Sequence, residues 1–348
     1  MNTKKFKTGE IRKILKKQQQ SEHFIVFITI LLLVTLIGLP TLYYIHTKAL
    51  ERKTQKEIAK EHAAIEKTIK QAQKPVLKPW YTYRGVAHAL GGVDGKDYLN
   101  SIDGFYQAYA KGYRIFEMDL LLTTDQVAIG KHKWGWNLAD PTSKKGNAVS
   151  YQTFKSTKIY GKYTPTSLLD MFQVMDKYPD FYLMTDSKGD EIADVRSDFN
   201  VIVETARKAN KEYLLDRLIV QVYNQQMFQT IKEIYPFKHF VYTTYKQPDA
   251  AFYEMVRFCL ANHIEGVTSP QNDINDYRMD ILKEKGLYSF THSINSSYHT
   301  KEFMKLGVYG VYSDFLTPAQ IDLSYIRANY PTFIIRFMKE LIPTYRNL

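Results

Sequence analysis

Six side chains of the 348-residue sequence could do chemistry together: His88, Glu117, Asp119, His132, Asp186 and Lys188. Glu117 and Asp119 stand two apart in the apolar run IFEMDLLL. Alternate residues of a strand share a face, so both carboxylates can converge on one cation. Asp186 supplies a third acid at the end of a later apolar run, FYLMTD, and Lys188 follows two positions on. Three carboxylates without a cysteine ligand suit a hard cation, Ca²⁺ or Mg²⁺. His88 and His132 each follow a short apolar run and offer a general acid and a general base. A cation beside a lysine can hold a phosphoryl oxygen and neutralise charge as a bond to phosphorus breaks. The set therefore points to metal-assisted cleavage of a phosphodiester. The plainer alternatives are solvent-facing acids at 117 and 119, a loop ion pair of Asp186 with Lys188, a surface His132 and a structural His88.

Those residues need a scaffold that brings distant segments to one rim. Apolar, β-like runs fall at 85–89, 114–121, 127–131, 181–186, 218–223, 239–244, 265–269, 287–291 and 309–313. Helical patterns lie between most of them, near 101–111, 167–177, 192–209, 225–235, 249–261, 276–285 and 300–306. Repeated β–α units imply a parallel sheet. About eight units over this length predict an α/β fold, a (β/α)₈ TIM-type barrel, whose active site sits at the C-terminal ends of the strands. Trp134 and Trp136 follow His132 and either stack on a sugar or glycerol-bearing substrate or pack. His263, His292 and His299 read as structural or surface residues. The single Cys259 excludes a disulfide framework and reads as a buried apolar side chain.

The net charge of +11 is unevenly spread. Residues 1–22 and 47–80 each carry +5, which leaves about +1 on 81–348. A basic footprint on the folded domain is thus missing, and nucleic acid is not expected as a partner. Residues 24–45 hold no formal charge and are rich in Ile, Leu and Val, long enough to span a bilayer core of ~30 Å. The expected layout is a cytoplasmic basic segment (1–23), a transmembrane helix (24–46), a helical linker or stalk (47–80), a barrel (81–320) and a C-terminal extension (321–348) that packs on the barrel or lies near the membrane. A single-pass cell-membrane protein follows, anchored in the lipid bilayer through 24–46, with a cytoplasmic N-terminus and an extracellular C-terminal domain. The sequence leaves the oligomeric state open.

Order and spacing resemble the glycerophosphodiester phosphodiesterase family, within the superfamily of phosphatidylinositol-specific phospholipases C. The resemblance rests on HALGG at 88–92, Asn100-Ser101, Glu117-Met118-Asp119, His132 and Asp186-Ser187-Lys188. It continues through TPTSLLDMF (164–172), LIVQVYN (218–224), FTHSIN (290–295) and LGVYGVYSD (306–314), and covers roughly 83–318. It implies that His88 and His132 are the catalytic acid and base. It further implies that Glu117, Asp119 and Asp186 hold the metal, with Lys188 and Gln221 on the substrate side. In that family a neighbouring substrate hydroxyl is thought to attack phosphorus, giving a cyclic phosphate that water opens. The implied substrate is a glycerophosphoryl lipid or a cell-surface polymer. Ala89 stands where the family has Arg, Leu99 where it has Glu, Lys133 where it has Asp, and Asp186 where it has Glu. The HALGG form marks a divergent subgroup. Two rival readings are a non-catalytic module binding phosphorylated surface polymers and a phospholipase-D-like lyase releasing the cyclic phosphate.

Overall fold

The computed structural model describes residues 28, 34–71, 76–189, 191–245 and 247–330. Contacts divide the chain into two compact units, 1–60 and 61–348. In the first, a π-helical turn (Val34–Gly38) leads into α1 (Leu39–Gln71), which runs on past the unit boundary. Of the apolar stretch 24–45, residues 24–27 and 29–33 lie outside the described residues. Among the described residues no helix is long and apolar enough to cross a membrane. The longest described part of that stretch is 34–45. Beyond it α1 carries the exposed Lys48, Arg52 and Lys53. The expected transmembrane helix, and with it the single-pass membrane location, is therefore corrected.

In the second unit the strands are β1 (Gly85–Ala87), β2 (Ile115–Leu122), β3 (Ala128–Gly130), β4 (Tyr182–Ser187), β5 (Leu218–Val222), β6 (His239–Thr243), β7 (Gly266–Pro270), β8 (Tyr288–His292) and β9 (Gly310–Ser313). Eight of them pair in parallel, and β1 closes the ring by pairing with both β2 and β9. The ninth, β3, is antiparallel to β2 and stands outside the barrel. Its run therefore does not form the parallel unit expected from its apolar pattern. It is the return limb of a hairpin on an over-long β2, a distinction that periodicity alone does not make.

Eight helices follow the parallel strands: α2 (Ile102–Ala110), α5 (Leu168–Lys177), α6 (Ile192–Lys208), α7 (Gln225–Ile234), α8 (Asp249–Ala261), α9 (Asp276–Glu284), α10 (Ser297–Lys305) and α11 (Pro318–Asn329). Several begin where a side chain can satisfy a free backbone N–H. Ser101 accepts from Gly104, Asn224 from Met227 and Asn275 from Arg278, while Ser167 and Thr317 make reciprocal capping boxes with Asp170 and Gln320. Each helix lays an apolar stripe on the sheet. On α2 that stripe includes Phe105, whose ring lies 4.6 Å from Phe116 and 5.0 Å from Phe181. Truncating a fully buried Phe such as this to Ala costs about 3–5 kcal/mol. The last helix buries Ile321, Leu323 and Ile326; residues 331–348 lie outside the described residues.

Two further features frame the site. The bottom of the barrel is plugged by Trp80, fully buried, whose indole N–H donates to Glu265 Oε2 at 2.6 Å and whose ring stacks on Phe290. Gly266 makes room for it, since a Cβ there would come within 2.9 Å of the indole ring. At the top, residues 131–166 form a flap between β3 and α5, with the short helices α3 (Pro141–Lys144) and α4 (Tyr151–Ser156). The flap shares a small core of its own with Val93, Leu99 and Ile129, built on Leu138, Val149, Phe154, Ile159 and Tyr163.

Candidate active site

Going up the barrel in steps of two, the inward side chains turn from apolar to polar. Along β2 they read Ile115, Glu117, Asp119; on β4 Tyr182, Met184, Asp186; on β5 Ile219, Gln221. Val86 gives way to His88 and Tyr312 to Asp314 in the same manner. The polar layer lines a cavity of about 410 Å³ at the C-terminal mouth, which takes in His88, Glu117, Asp119, His132, Asp186, Lys188 and Gln221. All seven residues expected from the sequence are thus in one place.

Among the described residues Glu117, Asp119 and Asp186 form the one group of three that could hold a metal ion, with ligand atoms within 4.8 Å of one another. Each is held by neighbours. The backbone N–H of Ala89 donates to Glu117 Oε2 at 2.7 Å, which Ala89 reaches by taking a left-handed conformation (φ 46°, ψ 45°). Asn100 grips Asp119 twice, Nδ2 donating to Oδ2 at 2.7 Å and Oδ1 accepting from the Asp119 N–H at 3.0 Å. Tyr223 donates its hydroxyl proton to Asp186, and Lys188 bridges Asp186 and Asp119, 2.7 Å from the latter. Glu117 Oε1 is buried with no hydrogen-bond partner among the described residues. An orphaned carboxylate oxygen is costly unless something cationic meets it. Hard oxygen donors with one oxygen unspent fit a divalent cation. Burial, and then the charge of Asp119, pushes the Glu117 carboxyl up to about 8. Burial likewise raises Asp186. For Asp119 burial is outweighed by the charges of Lys188, His88 and His132, and its pKa is lowered.

The two imidazoles face the same cavity under unlike control. His88 Nδ1 lies 2.8 Å from Asp314 Oδ1, the carboxylate accepting. Asn295 fixes Asp314 in turn, donating to its other oxygen at 2.8 Å and accepting from its N–H at 2.8 Å. Burial alone would lower the His88 pKa; the Asp314 bond and the charges of Glu117, Asp314 and Asp119 override it and raise it to about 9. His132 has no such partner among the described residues, and its Nδ1 is buried and unbonded. Burial lowers its pKa below the usual histidine value. It reaches the mouth because β3 runs back down the barrel wall, Lys131 N–H donating to Asp119 O at 3.0 Å. Between the rings stands Tyr98, 4.5 Å from His88 and 4.9 Å from His132.

Several contributors escaped the sequence reading. Asp314 and Asn295 lie more than 200 residues from His88; the signal available was an acid just past the end of a barrel strand. Tyr98 and Tyr223 carried no signal by type. His292, expected to be structural or on the surface, lines the mouth, with its Nδ1 3.2 Å from Thr268 Oγ1; burial, followed by the charges of His88 and Lys188, lowers its pKa to about 4. The two tryptophans part company. Trp134 packs against Phe154, whereas Trp136 reaches Tyr98 at 5.0 Å and His132 at 6.0 Å. As for the departures, Ala89 and Leu99 are buried, the latter in the flap's core, and Lys133 is exposed.

Comparison with solved structures finds the same fold at low sequence identity. A protein from Silicibacter pomeroyi assigned to the glycerophosphoryl diester phosphodiesterases superposes with a TM-score of 0.57 at 16% identity, covering 70% of this chain and 93% of that one. A glycerophosphodiester phosphodiesterase from Parabacteroides distasonis gives 0.55 at 17%, covering 71% and 98%. A phosphodiesterase from Oleispira antarctica, solved with its product sn-glycerol-3-phosphate, gives 0.55 at 17%, covering 69% and 96%. Comparison with curated proteins finds no match. The model of the family described as glycerophosphoryl diester phosphodiesterases matches residues 94–317, most of the barrel and its mouth. By that match the chain belongs to the glycerophosphoryl diester phosphodiesterase family, and it is a phosphoric diester hydrolase.

Proposed function

We propose that the barrel, residues 81–320, cleaves glycerophosphoryl-type phosphodiesters by acid–base catalysis between His132 and His88, with a divalent cation, Mg²⁺ or Ca²⁺, on Glu117, Asp119 and Asp186. The observation that carries this reading is a pair of imidazoles on one cavity, His88 bonded to Asp314 and His132 with its Nδ1 unbonded, beside a carboxylate cluster with an unspent oxygen. His132, neutral at physiological pH, takes the proton from the attacking hydroxyl. His88, held cationic by Asp314, gives its proton to the leaving oxygen. Asn295 keeps Asp314 from turning away, and Lys188 and Gln221 face the phosphoryl group. Tyr98 holds the rings apart at a fixed spacing. When bound, the cation would neutralise a phosphoryl oxygen and the charge that builds on it. A neighbouring hydroxyl on the substrate serves as nucleophile, so a cyclic phosphate forms first and water then opens it.

Incubation of the chain with glycerophosphodiesters and Mg²⁺ or Ca²⁺, followed by phosphorus NMR, tests the proposal. The expected result is turnover to a phosphomonoester that stops on chelation and returns with metal. Metal bound without turnover of any phosphodiester would leave a binding module instead, and a cyclic phosphate accumulating as end product would leave a lyase.

A further inference from the structure

The mouth is poor in positive charge for a site that must admit an anion. Its lining holds five carboxylates, Asp97, Glu117, Asp119, Asp186 and Asp314, against the one ammonium of Lys188. A divalent cation and a protonated His88 would not fully offset them. Ala89 brings no charge where a guanidinium is found in the family the chain resembles. Within 81–348, however, the near-neutral total conceals a strong division. Residues 131–162 carry seven lysines, Lys131, Lys133, Lys144, Lys145, Lys155, Lys158 and Lys162, against the single Asp140. That is +6 on the flap and about −5 on the remainder.

Some of these lysines are engaged by the fold. Lys131 is buried and donates to Trp136 O and Asn137 Oδ1, Lys155 pairs with Asp170, Lys162 with Asp94, and Lys158 donates to Thr164. Lys133, Lys144 and Lys145 are exposed and pair with no carboxylate among the described residues, and the same holds for Lys96 on the facing loop. Their placement ties them to the mouth. Lys133 Nζ lies 5.4 Å from the centre of the Trp136 ring, which touches Tyr98 and His132. Lys96 Nζ lies 5.4 Å from the Tyr160 ring, and the Tyr160 N–H donates to Asn137 O. Gly135, between the tryptophans, packs on Gly146 and Ser143, and Lys144 and Lys145 are the two residues between these. The rim rings thus already face ammonium groups, and a cationic headgroup would be repelled there.

We propose that this flap is a second anionic subsite, holding a phosphate of the substrate beyond the one being cleaved. The substrate class is then a polyanionic phosphodiester, a chain with repeated phosphate groups, in preference to a zwitterionic monomer. This rests on the phosphodiesterase reading of the mouth and narrows its substrate. Exposed lysines on one side of a mouth steer such a chain over a distance that salt shortens.

The test compares the full chain with its Lys96→Gln, Lys133→Gln, Lys144→Gln, Lys145→Gln variant on poly(glycerol phosphate) of defined length and on glycerophosphocholine. The expected result is a KM for the polymer raised tenfold or more at low salt, with kcat kept and the monomer's KM within twofold. The salt dependence of the polymer's KM should flatten in the variant. Equal effects on both substrates, or an unchanged KM for the polymer, would overturn the proposal. Fluorescence anisotropy of the labelled polymer with the His132→Ala chain, with and without the four lysines, reads the subsite without turnover. Lysine-dependent binding there supports the subsite even if no phosphodiester is cleaved, which would sink the phosphodiesterase reading alone. Lysine-dependent binding to phosphatidylglycerol vesicles, with polymer binding unaffected, would overturn it in favour of a lipid surface.

Discussion

The two ends of the barrel are made by the same strands and differ in what a two-residue step along each one delivers. At the bottom Trp80, Ile115, Tyr182, Ile219 and Phe290 meet in a buried, largely apolar plug whose indole N–H is satisfied by Glu265. At the mouth the next inward positions bring Glu117, Gln221 and His292, and Asp186 one step beyond Met184, with polar atoms left over, notably Glu117 Oε1 and His132 Nδ1. The plug meets its one indole N–H with a carboxylate; the mouth keeps unspent bonding capacity on a carboxylate and an imidazole that face the same cavity. Stability should therefore be concentrated below and chemistry above, with the rigid strands joining them.

Substitutions at the two ends should separate cleanly. His132→Ala and His88→Ala should each lower kcat by about 10²–10⁴-fold, with the melting temperature little changed because neither ring is part of the plug. Asn100→Ala, which removes the bonds to the carboxylate and the backbone N–H of Asp119 and leaves its carboxylate to Lys188, should weaken metal binding by about 10–100-fold in a calorimetric titration. Asp314→Asn should lower kcat less than removal of the ring and shift one limb of the pH profile. With the carboxylate gone the His88 pKa falls from about 9, so its proton is lost at lower pH and activity declines earlier on the alkaline side. Trp80→Ala should do the reverse of all these. It should cost about 3–5 kcal/mol of stability by thermal or denaturant unfolding, while kcat and KM of the folded fraction stay within about twofold. A Trp80 variant that folds normally yet loses catalysis would break the separation between the ends.

Much of this was written in the order of residues. The E-x-D strand and the polar residues at strand ends are local patterns, and local patterns survive being read in one dimension. What escaped was set by closure of the ring. Asp314 meets His88 because β9 pairs with β1, a contact no spacing reveals. The antiparallel course of β3 depends on β2 overshooting the barrel, and both limbs have the same apolar pattern as a parallel strand. The N-terminal apolar stretch misled in another way. Its hydropathy was sufficient for a membrane span, but among the described residues no helix is long and apolar enough to cross one, and α1 carries Lys48, Arg52 and Lys53. The flap's lysines were visible throughout and were lost only by summing charge over the whole domain.

The pH dependence of kcat/KM for a glycerophosphodiester tests the pairing of unlike imidazoles most directly. A bell is expected: activity rising as His132 loses its proton below the usual histidine value, and falling as His88 loses its own near pH 9, or lower once a bound cation adds positive charge beside it. A rate that stays flat from pH 5 to 10, or the same profile in His132→Ala, would contradict it.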